Sequence, residues 1–350
     1  MADSAGSSGE GEAVGVGEGS GSEVEHPARE IRATNPAAST RFTPPTLVAG
    51  TMPSVSLIRL VESLPRPIAY VLGGGASYGS VQVGHLRALA ETDITPDFVV
   101  GTSVGSLNGA IVAEHPGSAS ERLVDLWAGM TRQTVFGNVL GTAVNLAKGK
   151  ASAVPNTGLR AVIENAVAAR TFEELAIPHT AVTTDFDTGQ PVPINSGDLV
   201  SALLASAAIP LVFPPVHRGD RRLVDGGIVA NVPIRIAADQ GAATIVVLDC
   251  GFTVMAPQQE ETATGRLLRT AAIMAAQQVR NDLATVTDRV VLYLPGPWPM
   301  RGRPDDFRRS ADNASTTYGL TMTWLHGLSV VGPGRYGMAP ADYLIKPRVQ

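Results

Sequence analysis

The chain twice runs an apolar, β-branched stretch into a glycine-rich turn and straight on into an amphipathic segment. "IAYVLGGGASYG" leads into "SVQVGHLRALAE", and "DFVVGTSVG" leads into "SLNGAIVAEH". A short apolar run bounded by glycine reads as a buried strand, and the 3.6-residue period that follows reads as a helix. Two strand–turn–helix units in succession imply crossovers, which set their strands parallel within one sheet. Further strands are expected at "HTAVTTDF", "RRLVDGGI", "ATIVVLDCG" and "RVVLYLPG". Helices are expected at "SERLVDLWAGM", "TGLRAVIENAVAA", "DLVSALLASAA" and "GRLLRTAAIMAAQQVRNDLATV". This alternation predicts an α/β domain over residues 65–295, a mainly parallel central sheet with helices on both faces.

The flanks differ in character. Residues 1–45 are rich in Gly, Ser, Ala and Glu, with too few large apolar side chains to offset the entropy of ordering, and are expected to form a disordered acidic arm. Residues 296–350 are expected as a C-terminal extension packed on the main domain, with a last amphipathic helix at "STTYGLTMTWLHGL". Within it, Arg301, Arg303, Arg308 and Arg309 beside Asp305 and Asp306 read as a solvated mixed-charge loop. Thr253 to Gly265, polar and rich in breakers, reads as a surface connection.

Composition narrows the function classes. A chain of 350 residues with 44% hydrophobic and 17% charged residues can fill a substantial core. A net charge of -5 gives no general pull toward nucleic acid, so none is expected as a partner. The one cysteine, Cys250, excludes an intrachain disulfide framework and a cysteine-cluster metal site, suits a reducing compartment, and reads as a small buried residue. The start lacks a basic, then apolar, secretory signal, and no segment approaches the roughly 18 apolar residues of a membrane span. A cytoplasmic protein is expected, with any membrane contact peripheral.

Three segments carry chemistry. In Gly101-Thr102-Ser103-Val104-Gly105 the glycines stand two before and two after a serine, where a strand must reverse into a helix. That spacing lets a serine take a strained conformation and lift its Oγ clear of the sheet at the positive end of the helix. The other reading of the pentapeptide is a structural turn. A serine hydroxyl needs a base, and Asp225 ends a short apolar strand just before Gly226 and Gly227, which let the chain turn away and leave the carboxylate projecting at the strand's carboxyl end. An Asp-Gly turn opener is the alternative there. "LGGGASYGS", Leu72 to Ser80, exposes backbone N–H groups at a helix start, which suits a developing oxyanion. Dinucleotide phosphate would be its other ligand, but the G-x-G-x-x-G spacing fails, because Gly73 and Gly75 lead to Tyr78.

Taken in order, "GGGASYG", "GTSVG" and "DGG" resemble the signatures of the patatin-like phospholipase family. "VQVGHLRAL", "TAVTTDFDTGQPV" and "ASAAIPLVFPPV" extend the resemblance over about residues 67–250. The resemblance implies a three-layer patatin-like sandwich, Ser103 as nucleophile and Asp225 as the other half of a Ser-Asp dyad. It also implies an oxyanion hole from the amides around Gly74, Gly75 and Ala76, with Gly79, Gly101, Gly105, Gly226 and Gly227 supporting the motifs. Neither histidine nor any metal or cofactor is called for. The family's G-G-G-x-[RK]-G falls on Gly74 to Gly79, where Ala76 replaces the third glycine and Tyr78 the basic residue. The first change matters if the loop needs positive φ at that position.

The implied activity is hydrolysis of a carboxylic ester of a lipid, of the phospholipase A or lysophospholipase type. Alternatives are a Ser-His-Asp esterase or thioesterase using Ser103, Asp225 and His326, and a patatin-shaped lipid-binding or regulatory protein with little turnover. His85, on the helix after the glycine loop, is assigned no role.

Overall fold

The structure, a computed structural model, describes residues 63–137, 154–254 and 262–344. The arm read over 1–45, residues 255–261 of the Thr253 to Gly265 connection, and residues 345–350 lie outside the described residues.

Period-two burial builds the central layer. In β1 (Ile68–Leu72) every residue is buried. Ile68, Tyr70 and Leu72 point into one apolar cluster, Ala69 and Val71 into another on the opposite face. The strands that follow are β2 (Phe98–Thr102), β3 (His179–Asp185), β4 (Pro191–Ile194), β5 (Val216–Arg218), β6 (Arg221–Asp225), β7 (Thr244–Leu248), β8 (Val290–Tyr293) and β9 (Gly334–Tyr336). They form one sheet in the order β5-β6-β3-β2-β1-β7-β8-β9, with β4 beside β3. Strands β3, β2, β1, β7, β8 and β9 run parallel, and β4, β5 and β6 enter by antiparallel pairings.

Helices cover both faces. On the first lie α1 (Ser80–Ala90), α2 (Val104–Glu114), α3 (Ala119–Gly129), α4 (Arg132–Phe136), α5 (Thr157–Ala166) and α6 (Leu199–Ser206). One short turn, α7 (Gly227–Ala230), leads to α8 (Ile234–Asp239), which with α9 (Ala263–Thr285) buries Ile234, Ala237, Ala276 and Val279 against the second face. The fold is thus the expected α/β arrangement with a mainly parallel sheet.

The stretch beyond residue 296 does more than pack on the body. Helix α10 (Ser310–His326) lies along α1, with Asn313 Nδ2 donating to Ser80 Oγ at 3.2 Å and Tyr318 Oη donating to Glu91. Strand β9 then joins β8 in parallel, so this segment supplies part of the sheet itself.

Asp225 closes its strand, as expected, although β6 runs antiparallel to β3. Because β6 enters from the far end of β3, its carboxyl end stops level with the carboxyl ends of the parallel strands β2 and β1. Strand β2 pairs with β3 up to Thr102 opposite Val182, and β6 takes over on the next residue, with Asp225 opposite Thr183. Because β4 occupies the other edge of β3 over Ala181 to Thr184, β2 and β6 meet end to end along one edge. The residue after Thr102 is Ser103.

Candidate active site

Ser103 caps α2 with φ 55° and ψ −126°, a left-handed conformation that costs a non-glycine residue about 1–3 kcal/mol. Hydrogen bonds to its backbone hold it there. Its N–H donates to Ser206 Oγ at 2.9 Å, and its carbonyl accepts from Ser106 N at 2.9 Å and Ser106 Oγ at 2.7 Å. Ser206 Oγ donates in turn to Val182 O at 2.6 Å, tying the end of α6 to β3 beneath the serine. Gly105 is required by close approach, since a Cβ there would stand 2.2 Å from the Leu72 carbonyl oxygen. The structure therefore has the strained strand-to-helix turn expected of this pentapeptide.

Ser103 and Asp225 are each only 6% exposed. The Asp225 carboxyl is pushed up to about 6 by burial, while hydrogen bonds from the Ser103 hydroxyl and the Gly227 N–H pull it the other way. Gly227 N donates to Asp225 Oδ1 at 2.7 Å. The backbone of Asp225 is fixed by its N–H to Ala208 O at 3.0 Å and by Thr184 Oγ1 to its carbonyl at 2.9 Å. Side chains distant in the sequence thus meet where β2 and β6 abut, near enough for the Ser103 hydroxyl to act on the Asp225 carboxyl.

The glycine loop arches over this pair. Gly74 lies close enough to Ser103 that a Cβ on it would come within 3.2 Å of the serine Cβ. Of the amides expected to form an oxyanion hole, that of Gly74 is already engaged, donating to Asn231 O at 2.9 Å, whereas those of Gly75 and Ala76 have no acceptor among the described residues. Ala76 takes φ 49°, so the position where the family carries glycine does demand the left-handed region, and alanine adopts it. Tyr78, in place of a basic residue, is buried and donates to Gly302 O at 2.6 Å, while Ser77 N donates to Pro304 O at 2.9 Å. The loop after residue 299 thus straps the glycine loop from outside. Its arginines are exposed, with Arg303 paired to Asp305 and Arg308 to Asp306, as a solvated mixed-charge loop would be.

Ser103 and Ala76 also face a narrow cavity of about 50 Å³ whose other lining is apolar, including Leu107, Ile163, Leu203 and Phe307 and the stacked rings of Phe136 and Phe213, 5.7 Å apart. Sequence reading did not single out this lining, nor Ser206 or Asn231. "ASAAIPLVFPPV" and "DGGIVANVP" contain three of them, but nothing in either string says which side chain turns inward.

The histidines lie elsewhere. His85 is buried with Nε2 3.0 Å from Pro295 O and pushed down to about 4 by burial. His326 ends α10, which starts beside Ser80 and crosses α1 at Gly84, where Ala314, Thr317 and Tyr318 pack against it. His326 is a further eight residues on, about 12 Å at 1.5 Å per residue. No histidine among the described residues is hydrogen-bonded to Ser103 or Asp225, which weighs against the triad. Cys250 is buried under the glycine loop, its thiol donating to Gly73 O at 3.2 Å. Among the described residues, no group of three His, Cys, Asp or Glu side chains could hold a metal, and no helix is long and apolar enough to cross a membrane.

Comparison with known proteins bears on this geometry. Patatin-like phospholipase domain-containing protein 7 of Mus musculus is 34% identical over 188 residues, 53% of this chain and 14% of that protein. An uncharacterized NTE family protein of Mycobacterium tuberculosis is 26% identical over 209 residues, 60% of this chain and 56% of its own length. The chain therefore spans only a small part of the mammalian relative. Among solved structures, VipD from Legionella pneumophila is a distant likeness, with a TM-score of 0.40 and 12% identity over 75% of this chain and 67% of that one. The family model described as Patatin-like phospholipase matches residues 70–238, which span the glycine loop, Ser103 and Asp225. Those residues are a domain of the patatin-like phospholipase family.

Proposed function

We propose that this chain is a serine acyl hydrolase that cleaves carboxylic esters of lipids, with Ser103 as nucleophile and Asp225 as its base. The observation that carries the reading is the register that sets a strained, buried serine beside a buried carboxylate, on a serine that also faces an apolar cavity. The names of the relatives, which speak of phospholipase domains, support the same substrate class.

In this mechanism Ser103 Oγ attacks the ester carbonyl carbon as its proton passes to Asp225, and the carbonyl oxygen becomes an oxyanion. The N–H groups of Gly75 and Ala76 receive that charge, and the Gly74 amide shapes the loop through Asn231 instead. Collapse expels the alcohol, which takes the proton from Asp225. Water then attacks the acyl-serine, gives a proton to Asp225, and the fatty acid leaves as Ser103 regains it. A carboxyl held near 6 is a stronger base than one at its ordinary value, and above pH 6 it stands mostly ionised.

The lining of Phe136, Phe213 and Phe307 suits an acyl chain, and a lipid substrate would be met from the membrane surface. The left-handed φ of Ala76 favours turnover over mere lipid binding, because the loop keeps the course a glycine would give it. The test is a panel of p-nitrophenyl esters of rising chain length plus lysophosphatidylcholine, run on wild type, Ser103→Ala and Asp225→Asn. Wild type should hydrolyse them with a preference for longer acyl chains, and each variant should lose about a thousandfold in kcat/KM. Either variant retaining a tenth of wild-type turnover would contradict the assignment.

A further inference from the structure

Asn231 stands where the segments that build the site cross. Its carbonyl accepts from Gly74 N at 2.9 Å, its Nδ2 donates to Gly74 O at 3.4 Å, and the carbonyl of the preceding Ala230 accepts from Thr102 Oγ1 at 2.8 Å. Its N–H reaches back to Gln278 Oε1 of α9 at 3.4 Å. The residue is 5% exposed. With Nδ2 turned to Gly74, the other end of the carboxamide, Oδ1, faces the reaction centre and has no donor among the described residues.

The space before that oxygen is defined by two glycines. A Cβ on Gly227 would stand 3.0 Å from Asn231 Oδ1 and 3.0 Å from Asp225 Oδ1, so both oxygens converge on the room left by the missing side chain. A Cβ on Gly74 would stand 2.8 Å from Asn231 Oδ1 and 3.2 Å from Ser103 Cβ, which sets the serine beside the same oxygen. Two hydrogen-bond acceptors facing one space call for a ligand with two donors. Water is that ligand, and one of the acceptors is the base assigned above.

We propose that Asn231 positions the water that releases the acyl group from Ser103, an inference that rests on the Ser103–Asp225 reading. The water donates one O–H to Asn231 Oδ1 and the other to Asp225, which leaves a lone pair directed at the acyl carbon. As the water oxygen bonds to that carbon, its proton goes to Asp225 and the carbonyl electron pair moves onto the oxyanion. The electron pair returns, the carbon–Oγ bond breaks, and Ser103 Oγ takes the proton from Asp225. Asn231 gains and loses nothing in this step. It is a positioning residue, and the glycines at 74 and 227 keep its approach to the water open.

The experiment separates acylation from release in wild type and Asn231→Ala. A fluorophosphonate probe reports attack by Ser103 alone, since phosphonylation needs nucleophile and base but no second water. Turnover of p-nitrophenyl butyrate needs release as well. Asn231→Ala should take the probe within about threefold of the wild-type rate, while kcat falls at least tenfold, KM falls in proportion and a burst approaching one p-nitrophenol per Ser103 appears. Thermal unfolding of each protein checks that it is folded. Should the alanine variant fail to fold, Asn231→Leu fills nearly the same volume without an acceptor oxygen and without added charge, and should show the same retained labelling, lowered kcat and burst. In whichever variant folds, probe labelling that slows in step with turnover, or turnover that does not change, overturns the proposal. Wild type that takes no label at Ser103 overturns the Ser103–Asp225 reading first and this one with it.

Discussion

Ala76 holds a backbone conformation that its side chain disfavours, φ 49°, on the glycine loop that lines the cavity beside Ser103. The left-handed region costs an L-residue about 1–2 kcal/mol, and glycine gives back roughly 0.5–1 kcal/mol through its looser unfolded chain. Ala76→Gly should therefore stabilise the protein by up to about 1 kcal/mol in denaturant unfolding and leave kcat/KM within a few-fold. A loss of stability would mean that the methyl group contributes more to the Ser103 cavity than the strain removes. Asp225 carries the larger tension. Its carboxyl lies at about 6 in the fold against about 4 in an unfolded chain, so the protonated form is the one the fold favours. That contribution is present below pH 4, is lost as pH rises through 6, and above that leaves a penalty on the order of 3 kcal/mol. Asp225→Asn should abolish turnover yet raise the unfolding midpoint at pH 8, with little gain at pH 4. An equal gain at both pH values would show that burial of charge is not the cause. Turnover of wild type should rise with pH through a midpoint near 6.

At the scale of elements, the site is made by two strands meeting nose to nose. Strand β2 delivers Ser103 and β6 delivers Asp225 because each pairs with successive residues of one edge of β3. Helix α6 locks that junction through Ser206, which accepts from Ser103 N and donates to Val182 O. Ser206→Ala leaves a buried N–H without its acceptor, a loss of about 1–3 kcal/mol. Because the freed amide belongs to the strained serine, kcat should drop about tenfold with KM nearly unchanged. A variant that is destabilised but fully active would show that Ser206 serves only the fold. Little of this was legible beforehand. "GTSVG" and "DGG" mark their residues because few strings satisfy such turns, but no string records strand direction or register. That is why β6 ends beside the carboxyl end of β2, as expected, yet arrives there from the opposite direction. The strands Val216–Arg218 and Gly334–Tyr336 have three residues each, too few for a period, and Pro191–Ile194 carries two prolines, which a strand tolerates only where its N–H is unused.

For the whole molecule, the sheet with helices on both faces could be read from alternation of period, since each face of β1 needs its own apolar cover. The division of labour within the glycine loop could not. The sequence offered three equivalent amides, and only tertiary contact shows that Gly74 is committed to Asn231 while those of Gly75 and Ala76 have no acceptor among the described residues. It placed the segment after residue 296 on the main domain, but could not show that carbonyls of this segment hold Tyr78 and Ser77 of the glycine loop. The proposed chemistry requires that Ser103 be activated by Asp225 and by no other group. Fluorophosphonate labelling of the full chain, with the modified residue located by mass spectrometry, measures this directly in wild type, Asp225→Asn and His326→Ala. The prediction is a label on Ser103 in wild type, an unchanged rate in His326→Ala, and a rate at least a hundredfold lower in Asp225→Asn. Labelling that survives Asp225→Asn, or that fails in His326→Ala, would contradict it.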